Sequence, residues 1–285
     1  MSAETRATRR LYRLTLVVAL VSHAASPLTQ EESRPSLQTR WSAEVMSSQV
    51  PLGEYPRPQF VRSRWTNLNG LWDYAIESAD RSAAPKWQGK IRVPFAVESA
   101  LSGIEPSPVI GAGDVLWYRR TFAAPKLSAG ERLLLHFGAV DWEARVWFNG
   151  VELGQHQGGY DAFSFDVTDE LHRNGDQEVV VRVWDPTDAG YQPRGKQVSD
   201  PRGIWYTAVT GIWQTVWLEP VPALSLATLA ITPDAAHGRL RLLPTLRGAA
   251  SASSRVEVVA RAGAVAVGRG AGAIVRRPQP TMIAA

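Results

Sequence analysis

Carboxylates are plentiful in this chain and could carry out acid–base or nucleophilic chemistry. The 285 residues include 27 Asp and Glu side chains, and glycoside hydrolysis needs a pair of carboxyl groups flanking one sugar bond. Composition therefore leaves a glycosidase pair open. Carboxylates at strand edges usually lie on solvated faces or cap turns, so we favour that role for most of them.

The other residue types that catalyse reactions or hold cofactors show no productive spacing. The five His residues stand at positions 23, 136, 156, 172 and 237, without the paired spacing of a metal site. The segment GRGAGA at 268–273 lacks the preceding strand and following helix of a phosphate loop. No G-x-S-x-G motif supplies a hydrolase nucleophile. With no Cys in the chain, disulfides and thiolate ligands are excluded, and we expect no metal and no cofactor.

The charge is unevenly distributed along the chain. The overall pI of 9.6 suggests nucleic-acid binding, but both ends are basic whereas residues 27–235 hold 19 basic and 25 acidic side chains. The body of the protein is therefore acidic, and no phosphate-binding stripe or nucleic-acid partner is indicated.

The N-terminus has the pattern of an export signal. Arg6, Arg9, Arg10 and Arg13 precede a short apolar run at 14–21, and Ser22-His23-Ala24 offers a cleavage site after Ala24. The run is too short to span a bilayer, which takes about 20 residues, so no stable membrane anchor is expected. A periplasmic or secreted location follows, and the alternative is a disordered basic leader.

An Asn-Gly pair at Asn149-Gly150 separates two runs that alternate apolar and polar residues. This pair is the strongest short-range signal for a two-residue hairpin, because both turn residues need positive φ. The predicted strands are 71–76, 91–94, 115–122, 133–137, 144–148, 151–155, 163–167, 178–183 and 214–218. Short strands with long connections predict an all-β fold, a two-sheet jelly-roll β-sandwich.

A rare cluster, His156-Gln157-Gly158-Gly159-Tyr160, follows this hairpin. Two adjacent Gly residues allow positive φ or close backbone approach, and we expect Tyr160 to pack over them. Because sandwich corners need such residues, we predict a structural role for His156, Gly158, Gly159 and Tyr160, as for the turn.

Four regions are predicted along the chain. Residues 1–24 form the signal peptide, 25–58 a linker or strap, 59–220 the jelly roll, and 221–285 a partial immunoglobulin-like β-sandwich, with Pro220-Val221-Pro222 at the boundary. In the last region, strands are predicted at 224–231, 238–246 and 255–261. An immunoglobulin-like sandwich takes about 100 residues, more than follow the boundary. We therefore expect this sandwich to be incomplete, with a poorly packed C-terminal part.

Several motifs in order resemble the N-terminal sugar-binding domain of glycoside hydrolase family 2, whose members include β-galactosidases, β-glucuronidases and β-mannosidases. The resemblance covers residues 65–219. The matching motifs are Leu68-Asn69-Gly70-Leu71-Trp72, Val93-Pro94, Trp117-Tyr118-Arg119-Arg120-Thr121-Phe122, Val146-Trp147-Phe148-Asn149-Gly150 with the His156–Tyr160 cluster, Gly203-Ile204-Trp205 and Thr210-Gly211-Ile212-Trp213-Gln214.

The resemblance implies a jelly roll, an immunoglobulin-like sandwich and a catalytic (β/α)8 barrel with two Glu residues, one of which follows an Asn. It also implies a retaining mechanism. No Asn-Glu dipeptide occurs in this sequence, and a barrel needs about 250 residues. The expectation is the non-catalytic front of an exo-acting β-glycosidase, inactive without a partner that supplies a barrel.

In the family, loops of the jelly roll help to shape the sugar subsite at the barrel mouth. The corresponding loop here is 185–205, and its side chains could bond hydroxyls of a β-linked glycoside or stack on a sugar face. The resemblance implies these substrate-binding candidates: Asp114, Lys196, Gln197, Asp200, Arg202 and Trp205. Some members place an Asp where Gly203 stands, so that contact is not expected. The alternative role for these side chains is loop solvation or bracing.

Three hypotheses follow for the whole chain. The first is the non-catalytic sugar-binding portion described above. The second is a secreted carbohydrate-binding module that acts alone. The third is a truncated, inactive product, suggested by the Ala-, Gly- and Arg-rich segment at 261–277.

Overall fold

The computed structural model describes residues 38–57, 60–81, 85–108, 110–251, 253–273 and 281–284. The predicted signal peptide lies outside them. One short helix, α1 (Ser42–Ser47), precedes the sheets. The strands are β1 (Thr66–Asn67), β2 (Gly70–Ser78), β3 (Gly89–Val93), β4 (Asp114–Phe122), β5 (Glu131–Phe137), β6 (Val140–Asp141), β7 (Glu143–Phe148), β8 (Val151–Gln157), β9 (Phe163–Asp166), β10 (Gln177–Trp184), β11 (Gly211–Ile212), β12 (Val216–Pro222), β13 (Ser225–Asp234), β14 (Arg239–Arg247), β15 (Arg255–Ala262), β16 (Val265–Ala273) and β17 (Thr281–Ala284).

Two antiparallel sheets form the sandwich. The larger has the order β3-β2-β4-β10-β7-β8, and the smaller has the order β1-β12-β5-β9. The alternation of Val179, Val181 and Val183 on β10 puts every second side chain in the core, as a strand with one buried face requires. The predicted all-β jelly-roll class is confirmed, and each of the nine strands predicted for the sandwich is present.

The core lies between the two sheets and is rich in aromatic side chains. Trp72 and Tyr118 contact edge to face at 6.4 Å between ring centroids, and Phe137 and Phe148 are fully buried beside them. This rigid core fixes the ends of the strands, and the long connections at those ends carry the candidate site.

Strand β12 extends through the two prolines that we predicted to mark a domain boundary. Pro220 and Pro222 are opposite Leu133 and Glu131 of β5. The N–H of Val216, which has the same parity, points to the β1 side and bonds to the Asn69 side chain. Strand β1 pairs only as far as Leu218. The nitrogens of Pro220 and Pro222 therefore face a side where no strand needs an N–H donor, and proline is tolerated there.

The region after Pro222 forms strands but little core. β13 and β14 pair over their length, and β15 pairs with β16. Among the described residues of this region, Leu242 is the one buried apolar side chain, while Val265 and Val267 are exposed. Strand β16 was not predicted, because its Ala- and Gly-rich sequence has a low strand propensity. In the described part of the chain, no helix is long and apolar enough to cross a membrane.

Candidate functional site

The hairpin turn between β7 and β8 fixes the register of β8, the edge strand of the larger sheet that leads into the His156–Tyr160 cluster. Asn149 and Gly150 have φ values of 49° and 81°, as a turn that needs two positive φ angles requires. The Asn149 amide donates to Glu170 O and to Gln177 Oε1, both at 2.7 Å, and accepts from Glu178 N at 2.8 Å. The turn is thus bonded to its neighbours at three points.

The His156–Tyr160 cluster begins in the last two residues of β8 and continues into the connection after it. The His156 ring stacks on Phe163 at 4.2 Å between centroids, and its Nε2 is buried without a partner among the described residues. Gly158 has a φ of 139°, which side chains rarely adopt. The structural role of His156 and Gly158 stays a prediction.

Gly159 is the point of closest approach between this cluster and a buried carboxylate. A Cβ atom at Gly159 would lie 2.6 Å from Cγ of Asp141 and 3.0 Å from its Oδ2, so only Gly fits. Gly159 O accepts the indole N–H of Trp213 at 2.8 Å. The Tyr160 ring contacts Trp213 edge to face at 6.1 Å and is half exposed. The Tyr160 ring thus packs on Trp213.

Gln197 joins the long loop to this cluster. Its amide donates to Asp141 Oδ2 at 3.1 Å and reaches the Tyr160 hydroxyl at 3.5 Å, while its Oε1 accepts from Val209 N at 2.7 Å. The neighbouring Lys196 O accepts from Tyr206 N at 2.8 Å. These bonds of Gln197 run within the chain and hold the loop in position, and sugar contact by this side chain stays a prediction.

Two buried carboxylates, Asp141 and Asp185, and the partly buried Glu98 are bonded to the loop and to the residues that follow it. Thr210 links two of them: its N–H donates to Glu98 Oε2 at 2.9 Å, and its hydroxyl to Asp185 Oδ2 at 3.1 Å. Asp185 Oδ1 also accepts from Thr187 N at 2.8 Å. Asp141 accepts from Gln197 in the middle of the loop. The three carboxyl groups therefore hold the start of the loop, its middle and the segment after it, and we call Glu98, Asp141 and Asp185 the acidic clamp.

Burial makes ionisation of the acidic clamp unfavourable. Burial, reinforced by the charge of Asp185, raises the pKa of Asp141 to about 7 against the bond from Gln197. Burial likewise raises the pKa of Glu98 to about 7, although Thr210 donates to it. The pKa of Asp185 is raised for the same reason, against its bonds from Thr187 and Thr210. Sequence reasoning missed this cluster; the one local signal was a carboxylate within the apolar run at 139–142.

The acidic clamp is not arranged for catalysis of glycoside hydrolysis. Both carboxyl groups of a retaining glycosidase must face the sugar, whereas Asp141 and Asp185 are each 3% exposed. The Oε1 atom of Glu98 is also buried, without a hydrogen-bond partner among the described residues. Within the described ranges, no group of three or more His, Cys, Asp or Glu side chains is placed to hold a metal ion.

Four of the predicted substrate-binding residues lie on the solvent side of the loop. Lys196 Nζ lies 5.8 Å from the Tyr206 ring centroid, and Arg202 bonds to Asp200 at 2.7 Å with both side chains exposed. Trp205 is 43% exposed. Three large side chains that sequence reasoning did not select as substrate-binding share this exposure: Tyr191, Ile204 and Tyr206.

Asp114 has a different position from the other candidates. It is the first residue of β4, and its Oδ2 accepts from Gly111 N at 3.0 Å within the preceding turn. The Trp184 indole donates to Ala112 O of the same turn at 2.8 Å. Asp114 therefore braces a turn that is bonded to the end of β10, directly before the loop.

The comparisons with known proteins identify the class of domain that this fold and loop define. Residues 65–222 match the model of the glycosyl hydrolases family 2, sugar binding domain. The chain belongs to this family.

Relatives of the chain are glycosidases of greater length. A β-glucuronidase from Paenibacillus borealis is 32% identical over 122 residues, which is 41% of this chain and 20% of that protein. A β-galactosidase from Bacteroides ovatus is 31% identical over 162 residues, which is 57% of this chain and 15% of that protein. The chain thus spans a fifth or less of the length of these relatives.

Solved structures of two β-glucuronidases share the fold. The enzyme from Bifidobacterium dentium has a TM-score of 0.60 at 22% identity, over 78% of this chain and 42% of its own. The enzyme from Faecalibacterium prausnitzii has a TM-score of 0.58 at 23% identity, over 80% of this chain and 41% of its own. At this identity, the likeness shows the fold alone.

Proposed function

We propose that this chain supplies the N-terminal, non-catalytic sugar-binding portion of an exo-acting, retaining β-glycosidase. The observation that carries the proposal is the loop 185–205 with the adjoining Tyr206, which presents aromatic and charged side chains to solvent while hydrogen bonds to the sandwich hold its backbone. The relatives named above, a β-glucuronidase and a β-galactosidase, support the glycosidase class.

In this proposal, the loop binds the sugar and leaves the cleavage to another part of the enzyme. Trp205 and Tyr206 offer rings for stacking on the apolar face of a sugar, and Lys196, Asp200 and Arg202 offer groups that bond hydroxyls. The two carboxyl groups of retention stand about 5 to 5.5 Å apart, and we assign them to a barrel domain. The ligand is a β-linked glycoside or oligosaccharide.

The proposed location is the periplasm or the exterior of the cell. The basic and apolar segments of residues 1–24 support export. The absence of Cys is compatible with either compartment, since no thiol needs to stay reduced.

Turnover and binding measurements on the purified chain test the proposal. We expect no hydrolysis of 4-nitrophenyl β-glucuronide or β-galactoside by the chain alone. We expect a β-linked glycan identified on an array to bind more weakly to Trp205→Ala, because that change removes a stacking face worth roughly 1 kcal/mol. The matched control is Trp41→Ala, an exposed indole beside α1, which should leave binding unchanged.

Three outcomes separate the hypotheses. Hydrolysis by the pure chain contradicts the non-catalytic assignment, provided that a mock preparation without the chain shows none. Strong saturable glycan binding without any barrel domain favours a module that acts alone. Absence of binding, together with rapid proteolysis of residues 223–285, favours a truncated inactive product.

A further inference from the structure

A cavity of about 250 Å³ lies between the smaller sheet and β13. His136 of β5, Trp217 of β12 and Ser164 of β9 form its wall on the sandwich side. The other wall contains Leu226, Ala227 and Thr228 of β13. The sugar-binding loop contributes no residue to this cavity, so it is a separate feature of the molecule.

Three arginines from distant parts of the chain line the cavity: Arg57, Arg62 and Arg247. Arg57 and Arg62 belong to the segment that precedes β1, and Arg247 ends β14. Gathering three guanidinium groups around one space is unfavourable unless negative charge compensates for them.

Glu219 compensates for one of these charges. It is fully buried, and its Oε2 accepts from Arg62 Nε at 3.1 Å and lies 3.3 Å from His136 Nε2. Its Oε1 accepts from the Tyr55 hydroxyl. Arg62 also donates to Leu226 O at 2.8 Å. The Trp217 indole also donates to Glu219 Oε1 at 3.4 Å, so four side chains already share the Glu219 carboxylate.

Arg57 and Arg247 have no such counter-charge. Arg57 donates to Ala227 O at 3.3 Å, and Arg247 donates to Ser164 Oγ at 3.4 Å, so both bond only to neutral oxygens. Within the part of the chain that the structure describes, neither forms an ion pair with a carboxylate, and Nε of Arg247 is buried without a hydrogen-bond partner.

The neighbouring histidine responds to this positive charge. Burial lowers the pKa of His136, and the charges of Arg57 and Arg247 lower it further, while Glu219 opposes both. His136 stacks on Trp217 at 4.7 Å between centroids, so its ring is held at the wall of the cavity rather than turned towards solvent.

We propose that this cavity is a binding site for a small oxyanion held by Arg57 and Arg247. Guanidinium groups bind phosphate, sulfate and carboxylate through paired, charge-assisted N–H···O bonds. The Ser164 hydroxyl would supply a further donor. The shared chemistry is a compact anion with two or more oxygens, and its source is either an inorganic anion or the carboxylate of a uronic acid. This site is independent of the proposed function of the loop.

Isothermal titration calorimetry of the full chain tests the site with separate ligands. Sodium phosphate is compared with sodium chloride of equal ionic strength, and methyl β-glucuronide is compared with neutral methyl β-glucoside. Saturable binding of phosphate, or of the glucuronide but not the glucoside, supports the site and distinguishes its source. No saturable binding of either anion overturns the proposal.

Variants assign any binding to the cavity. We expect Arg57→Met and Arg247→Met each to weaken anion binding about tenfold or more, because each removes a charged donor. The matched control is Arg64→Met, which lies in the same segment but pairs with Glu131 outside the cavity and should bind as the wild type. Equal weakening in all three variants overturns the assignment.

Two further variants test whether the anion occupies the cavity itself and whether its binding is separate from glycan binding. Ala162 lines the cavity and is exposed, so Ala162→Leu should narrow the cavity without removing a charge, and it should also weaken binding. Unchanged affinity in Ala162→Leu contradicts the proposal. Trp205→Ala should retain anion binding, so a failure of glycan binding and a failure of anion binding are distinguishable.

Discussion

Replacing Asp141 by Asn tests whether the acidic clamp stores unfavourable charge under the loop. The two side chains have nearly the same shape, and Asn Oδ1 can accept the bond that Gln197 donates at 3.1 Å. The variant therefore keeps the geometry but removes the ionisation of a side chain that is 3% exposed. Its effect on the free energy of unfolding should depend on pH.

The sign follows from the raised pKa. The pKa of Asp141 is about 7 in the folded chain and about 4 when unfolded. Between these values, the folded chain binds the extra proton, so stability from this group is present below pH 4 and lost as the pH rises to about 7. A difference of about three pH units corresponds to roughly 4 kcal/mol at most. Since Asp185 also loses a repelling neighbour, Asp141→Asn should stabilise the chain by roughly 2 to 4 kcal/mol at pH 8 and change little near pH 4.

Urea unfolding followed by Trp fluorescence between about pH 4.5 and 8.5 measures this difference. The matched control is Asp80→Asn, the same substitution at an exposed turn residue after β2, which should not reproduce the stabilisation. If the wild type and Asp141→Asn lose stability with the same slope between pH 5 and 8, Asp141 does not ionise in an unfavourable site and the reasoning fails.

Three further substitutions test other contacts by the same unfolding assay. Gly159→Ala should destabilise the chain by about 2 to 4 kcal/mol, because its Cβ must displace the Asp141 carboxylate; Gly113→Ala, where the Cβ meets open space, should be nearly neutral, and equal costs would refute the steric argument. Glu219→Gln should cost about 1.5 to 3 kcal/mol, because the partly buried Arg62 guanidinium loses its charged acceptor. Burial opposes ionisation of Glu219, but bonds from His136 and Tyr55 and the charge of Arg62 outweigh it and lower its pKa to about 2, so its contribution should be present above about pH 4.5 and lost as the pH falls towards 2; a cost that persists at pH 2 would contradict this. Asn149→Ala should cost about 3 kcal/mol through three lost bonds and a positive φ, and a cost below 1 kcal/mol would show that the turn is held elsewhere.

The strands of the sandwich could be predicted because their signal is local. Alternation along 178–183 and 144–148 reports which face is buried, and the structure places strands there with ends shifted by a residue or two. Strand β12 extended further than predicted, since proline is excluded from a strand only where its N–H is needed. That condition depends on where β1 ends, which no local pattern records.

The roles of the loop residues could be predicted only in part. Position in the loop and side-chain chemistry selected Gln197 together with Trp205, yet one bonds inwards and the other is exposed. The partner of Gln197 is Asp141, 56 residues earlier, and the partner of Thr210 is Glu98, 112 residues earlier. Contacts at such separations arise from tertiary packing, so the local pattern of a single sequence does not predict them.

Asp141→Asn and Gly159→Ala together separate the order of the loop from the stability of the chain. Both change the surroundings of the Asp141 carboxylate, but the first preserves the bond from Gln197 and the second displaces its acceptor. A loop ordered before binding loses less conformational entropy when it takes up a ligand. We therefore expect Asp141→Asn to bind glycan as the wild type does while gaining stability at pH 8, and Gly159→Ala to lose both. Equal glycan affinity in the two variants would show that the acidic clamp holds the fold without ordering the binding face.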